Sequence, residues 1–334
     1  MTILAVGTSA IEFPDSLGLS GDSTDAAWFD PSFVSRAVLS VNAAAAGGTI
    51  AVSLDTPVDD CWFKFMYRTS STGVGNSATE SNRVVFHDAD NTPIATISRV
   101  SSNALRIRVR GNAGLVAHPE TVAASNVALA TPGEIAFRLQ VTPTANTFTM
   151  YLDGGMLMTH TVAVSSRTPG TARIEARGIH STNANVTVGF SEIMVSDGVD
   201  LRGLRLLQGS LDPDAGAYDA FANGRGRLLD FDVTTAAISD APGQRVSAAV
   251  GFTVPGAPVI HALAVNARAD FETGTPDQLA GFLRIGSDTH DAPGRTMTMA
   301  AAPTFLWTGN PHTSAPWEVG DLTGLEVGLL SASS

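Results

Sequence analysis

Arg106, Arg108 and Arg110 occupy every second position of one stretch, Asn103 to Arg110, and Leu105, Ile107 and Val109 fill the positions between them. Period two is the strand period, so the arginines share one face and the aliphatics the other. A row of guanidinium forks suits carboxylates, either on an acidic glycan or on an acidic patch of a partner. The plainer reading is a solvated strand face answered by Asp or Glu on the neighbouring strand. A second candidate face lies in DCWFKFMYRTSS, which begins at Asp60. Cys61, Phe63, Phe65 and Tyr67 fall on one side and read as core. Trp62, Lys64, Met66 and Arg68 fall on the other, which is either covered by a loop or forms a contact surface. Arg106, Arg108, Arg110, Trp62 and Lys64 are therefore the candidate ligand-binding residues.

Other chemistry is thinly represented. The histidines, His87, His118, His160, His180, His261, His290 and His312, form no HxH or HxxxH pair of the kind that holds zinc. No GxSxG elbow, P-loop or dinucleotide fingerprint appears. A glycosidase needs two carboxylates facing one cleft. The strands offer Glu134, Glu175 and Glu192, each isolated in sequence, and Asp153 belongs to a hairpin tip. No catalytic residues are expected. The acidic loops Asp15, Asp22, Asp25, Asp30 and Asp212, Asp214, Asp219 could attract a hard cation such as calcium, but they lack the spacing of a calcium loop. They read as solvated turns, and no metal or cofactor is expected. Cys61 is the only cysteine, which rules out an intrachain disulfide and reads as a small buried hydrophobe.

The elements that must position these groups are strands. Gly133 to Gly198 is a run of them. Ile135, Phe137, Leu139 and Val141 alternate with polar residues, and so do Phe148, Met150 and Leu152. Asp153-Gly154-Gly155 supplies a tight hairpin. Val186, Val188 and Phe190 form an inward row, and the apolar phase then slips to Ile193 and Val195. That slip predicts a β-bulge near Ser191-Glu192. Earlier strands are expected within residues 1–14, where the chain could pair with another subunit, and over Ser32 to Val41 and Thr49 to Leu54. A turn at Asp88-Ala89-Asp90-Asn91 joins two more. After a break near Val199-Asp200, strands are expected at Gly203–Gln208, Gln244–Phe252, Val259–Ala269, Gln278–Ile285 and Glu326–Leu330.

The sequence thus predicts an all-β protein of two β-sandwich domains, 1–199 and 200–334. Its 334 residues suffice for two cores. Charged residues make up 16% of the chain and 32 positions are Gly, a mix suited to sandwiches with many turns. A net charge of −12 argues against nucleic acid as a partner. No apolar run reaches membrane-spanning length, and no secretory signal is visible, so synthesis and folding in a cytoplasm are expected.

The strand IAFRLQVT, the hairpin FTMYLDGG and the closing strand VTVGFSEIMVSDG resemble the C-terminal half of a laminin-G-type, concanavalin-like jelly roll. The ending NPHTSAPWEVGDLTGLEVGLL resembles that of a β-sandwich domain common in fibre and tail proteins of tailed phages and related gene-transfer particles. These resemblances imply a virion surface protein: a tail fibre, head spike or decoration subunit, with other virion proteins as partners. Contact with host surface polysaccharide and a homo-oligomer, a trimer first, would follow. The alternatives are a capsule-degrading lyase or glycosidase, and a purely structural connector of head or tail.

Overall fold

A computed structural model describes residues 2–7, 13, 15–17, 19–34, 36–42, 48–70, 81–100, 104–127, 129, 131–178, 186–212, 214–228, 237–256, 258–267, 269, 276–297 and 303–333. Among these there is no α-helix. The chain divides into two compact units, Met1–Leu206 and Leu207–Ser334. The division falls past the break expected after Val199, because the segment 200–206 packs on the first unit.

In the first unit the strands are β1 Thr2–Gly7, β2 Gly21–Ser23, β3 Ala37–Asn42, β4 Ile50–Val58, β5 Asp60–Thr69, β6 Ser81–His87, β7 Pro93–Val100, β8 Ala104–Gly111, β9 Gly114–Ala117, β10 Val122–Ala123, β11 Gly133–Val141, β12 Ala145–Leu152, β13 Gly155–Ala163, β14 Thr171–Ala176 and β15 Val186–Asp197. They form two antiparallel sheets. Sheet one runs β13-β12-β11-β5-β15-β3-β2, with β1 also on β15. Sheet two runs β10-β8-β7-β6-β14-β4, with β9 on β8.

The alternation seen in the sequence sets the core. Phe63, Phe65, Phe86, Phe137, Phe148 and Phe190 are all 0% exposed. Phe63 stacks on Phe137 at 6.2 Å, and Phe65 meets Phe190 edge-on at 5.1 Å. Burying each such side chain contributes about 1.5–3 kcal/mol, and edge-to-face or offset contacts add to that.

The hairpin between β12 and β13 turns on Asp153 (φ 46°) and Gly154 (φ 77°), two successive positive φ values, as a primed turn requires. The turn between β6 and β7 is closed by Asp88, whose Oδ1 accepts from the backbone N–H of Asp90 and Thr92. The predicted bulge is present: the register of β15 against β5 shifts between Ser191 and Met194, and Glu192 has φ 49°. β15 changes neighbour at the same place, pairing β3 through Phe190 and β1 from Ile193 onward. The first strand therefore pairs within its own chain, not with another subunit. Its irregular apolar phase reflects a register shift between Ile3 and Ala5.

In the second unit the strands are β16 Ser210–Asp212, β17 Arg245–Gly251, β18 Leu263–Asn266, β19 Gln278–Ile285, β20 Asp288–Asp291, β21 Arg295–Thr296, β22 Thr304–Trp307 and β23 Glu326–Ala332. One sheet runs β16-β17-β23-β19-β20, with β21 on β19, and β18 and β22 make a two-stranded ribbon. Phe305 and Trp307 of the ribbon share a core with Leu279 and Leu283 of the sheet. Gly281 makes room for this: a Cβ there would stand 2.6 Å from the Phe305 ring. The C-terminal segment folds as its sequence suggests. Asn310 bridges Ala315, a 3₁₀ turn covers Val319–Leu322, and buried Trp317 donates from Nε1 to the Trp307 carbonyl at 3.0 Å. Two expectations differ. Gly203–Gln208 is not a strand, and Val259–Ala269 contracts to β18.

Candidate binding face

The two sheets of the first unit each turn one face away from the shared core. On sheet one that face carries Trp62 and Lys64. Both are buried, at 2% and 0% exposure, so they form no contact surface. The segment 200–206 covers them. Leu201 is fully buried and packs with Trp62, Val6 and Met194, and Leu204 and Leu206 join them. Trp62 stacks on Tyr151 at 5.5 Å, with Arg138 and Arg202 against its ring.

Lys64 pairs with Glu134 at 3.0 Å and also donates to the Leu204 carbonyl. Burial pulls its pKa below the ordinary lysine value, against the opposing pull of Glu134 and Glu192. The bulge points Glu192, 0% exposed, at the same segment. Its carboxylate takes two hydrogen bonds from Arg205, at 2.8 and 2.6 Å, and one from the Leu206 N–H at 3.0 Å. Glu134 and Glu192, isolated in sequence, are thus neighbours in space around Lys64. Their work is to hold 200–206 down.

The outward face of sheet two is built differently. Register places Arg108 beside Thr96, Thr96 beside Val85, and Val85 beside Glu175, in one line across β8, β7, β6 and β14. A parallel line runs Arg106, Ser98, Asn82. His87 stands beside Arg173. With strands about 4.8 Å apart, these side chains form one continuous polar field. Between β6 and β14 it dips into a hollow of about 360 Å³ lined by Asn82, Val85, His87, Pro93, Glu175 and Arg177, with Ser81 and Arg83 at its margin.

His87 is only 8% exposed. Its Nδ1 meets the Asn91 carbonyl at 3.2 Å. A carbonyl only accepts, so Nδ1 carries a proton and donates to it. The ring's Nε2 makes no hydrogen bond and faces Glu175 Oε2 at 3.9 Å. Arg173 holds the other Glu175 oxygen at 3.1 Å.

No family model matches the chain, and no curated protein does. Among solved structures, the botulinum neurotoxin type G receptor-binding domain is similar at 11% identity and TM-score 0.34, over 59% of this chain and 44% of that one. Cellulose induced protein Cip1 is similar at 14% identity and TM-score 0.37, over 58% of this chain and 90% of that one. HCR/D-Sa-GBL1/C is similar at 11% identity and TM-score 0.39, over 92% of this chain and 74% of that one. The chain spans less than half the length of the neurotoxin domain. Likeness at this level says nothing of what this chain binds.

The arginine row divides. Arg110 is tied down: it donates to Asp88 Oδ2 at 2.8 Å and to the Pro93 carbonyl at 2.9 and 2.6 Å. Burial alone would raise the Asp88 pKa, but Arg110 and the turn N–H groups outweigh it and hold it below the usual carboxylate range. Across the strand pair Arg106 faces Ser98 and Arg108 faces Thr96. The sequence reading missed His87, Asn82 and Glu175 as a group. They sit on strands far apart in the chain, and no local spacing marks them.

The remaining candidates serve the fold. Asp22 pairs with Arg36, Asp25 caps its own turn at Ala27, and Asp30 pairs with Arg205. Asp15 accepts from Ser53, Asp212 from the Asp214 N–H, and Asp219 from the Arg225 N–H. Among the described residues no three His, Cys, Asp or Glu side chains gather as a metal site. Cys61 is fully buried, and desolvation pushes its thiol pKa far up, which leaves it unreactive. His180 lies outside the described residues. Among the described residues no helix is long and apolar enough to cross a membrane.

Proposed function

We propose that this protein is a non-catalytic, glycan-contacting surface component of a phage or phage-like particle: a fibre, spike or decoration subunit. The observation that carries the glycan half is the polar hollow lined by Asn82, His87, Glu175 and Arg177. Hydroxyls of a sugar ring both donate and accept, which suits the Glu175 carboxylate and the Asn82 amide that line it. Val85 and Pro93 supply an apolar floor for the ring carbons.

Hydrolysis fits the hollow poorly. A glycosidase places two carboxylates across the scissile bond, and Glu175 is the one carboxylate on β6, β7, β8 and β14. The closer carboxylate pair, Glu134 and Glu192, lies buried under 200–206. The particle half of the proposal rests on the resemblance of the C-terminal ending, with Trp307, Trp317 and the 3₁₀ turn packed in one core. A homo-oligomer, a trimer first, belongs to the same proposal, and native mass measurement of the whole chain decides it.

The test is binding of the whole protein to intact host cells before and after capsule removal, together with antibody labelling of particles in the electron microscope. Loss of binding with the capsule and label on the particle surface are expected. Unchanged binding removes the glycan reading, and label absent from particles removes the virion reading.

A further inference from the structure

The outward face of sheet two gathers positive charge in a chain whose net charge is −12. Arg106, Arg108 and Arg110 flank the hollow on the β8 side, and Arg173 and Arg177 on the β14 side. Two of these are neutralised within the face, Arg110 by Asp88 and Arg173 by Glu175. Arg106 and Arg177 meet no carboxylate among the described residues, and Arg106 Nε makes no hydrogen bond. A further guanidinium lining the hollow, Arg83, is 6% exposed. Burial, then the charges of Arg99 and Arg177, hold it down to about 10, against an opposing pull from Tyr67.

From this arrangement we infer that the hollow takes an acidic saccharide, a sugar bearing a ring carboxylate. Its hydroxyls meet Glu175 and Asn82, and its carboxylates along the chain are received by Arg177 on one side and by Arg106 on the other. Planar guanidinium forks match carboxylates in two-point contacts. Glu175 already pairs with Arg173, so a second carboxylate is disfavoured directly on it. The acid groups therefore seat at the flanks and the hydroxyls at the centre. A neutral glycan would leave Arg106 and Arg177 unanswered.

This inference rests on the reading of the chain as a glycan-contacting protein, and the experiment separates the two. The whole protein is titrated calorimetrically with a hexuronate polymer and with the same polymer after its carboxyls are reduced to alcohols. Variants Arg106→Gln and Arg177→Gln are carried through both titrations, with thermal melting to confirm that they fold. The hexuronate polymer is expected to bind, and the reduced form at least about tenfold more weakly, the worth of one charge-assisted contact. Each variant should lose a similar factor for the acid form and little for the reduced form.

Equal binding of acid and reduced polymers overturns the acidic class while leaving glycan contact in place. Absence of binding by the acid form also overturns it, and the host-cell experiment then decides the wider reading by itself. A single-stranded nucleic acid bound as tightly as the hexuronate polymer would overturn it too, by showing attraction to charge alone.

Discussion

On the outer face of sheet one, Trp62, Lys64, Glu134 and Glu192 lie beneath residues 200–206. On the outer face of sheet two, Arg106, Glu175 and Arg177 stay partly exposed beside a hollow. Both faces alternate large polar or aromatic residues with core residues, so strand period alone cannot tell them apart. The difference comes from a segment distant in sequence. Residues 200–206 bring their own apolar anchor, Leu201, and their own cation, Arg205, to a face that supplies the matching carboxylate. Among the described residues no such segment lies over sheet two, and Arg106 and Arg177 there meet no carboxylate. A polar sheet face is a site when its hydrogen bonds and charges remain unanswered, not when its residues look chemical.

Substitutions can break this contrast, and the sealed face should be the more sensitive. Arg205→Ala leaves Glu192 buried without its cation and should cost about 3–5 kcal/mol in urea unfolding. A loss under 1 kcal/mol would mean that 200–206 is not held by this pair. Trp62→Ala should cost about 3 kcal/mol, because the ring is fully packed between Tyr151 and the covering leucines. Asp88→Asn, at the turn that anchors Arg110, should cost about 1–2 kcal/mol through weakened hydrogen bonds to a charged group. Arg106→Gln on the open face should change stability by less than about 0.5 kcal/mol.

Acid should act through the same kind of pair. Burial alone would raise Asp88 and Glu326, but Arg110 with the turn N–H groups outweighs it in the first, and the Ala217 N–H, Ser247 and Arg284 do so in the second. Both therefore titrate below their ordinary 3.8 and 4.5. A folded-state pKa below the unfolded one means that stability is fully present above those values and is lost as pH falls through the lower, folded ones. Melting temperature should hold from neutrality to about pH 5 and drop below about pH 4. In Asp88→Asn that drop should be shallower.

Much of the fold is legible in the sequence. The alternation around Phe137 and Phe148, the Asp153-Gly154 hairpin, the Asp88 turn and the bulge at Glu192 each leave a local mark, because each is fixed by residues close in the chain. The C-terminal ending is legible for the same reason. The cover over sheet one is not. Leu204 and Leu206, two apart, look like strand positions, yet their backbone bonds side chains, Lys64 and Glu192, instead of a neighbouring strand. The hollow is not legible either. It is made by β6 lying beside β14, a pairing set by the sheet order, and by the His87 proton, which the Asn91 carbonyl fixes. The arginine row was visible, but which of its members is occupied depends on Asp88 and on the strand opposite.

The contrast between the faces is tested most directly by arginine labelling. The whole protein is treated with an arginine-directed dicarbonyl, with and without the hexuronate polymer, and modification is read by peptide mass spectrometry. Arg106 and Arg177 should react in the free protein and be protected by the polymer, while Arg205 reacts slowly in both cases and the exposed Arg167 is unchanged by the polymer. Protection at Arg167 equal to that at Arg106 and Arg177, or no protection anywhere, would contradict the account.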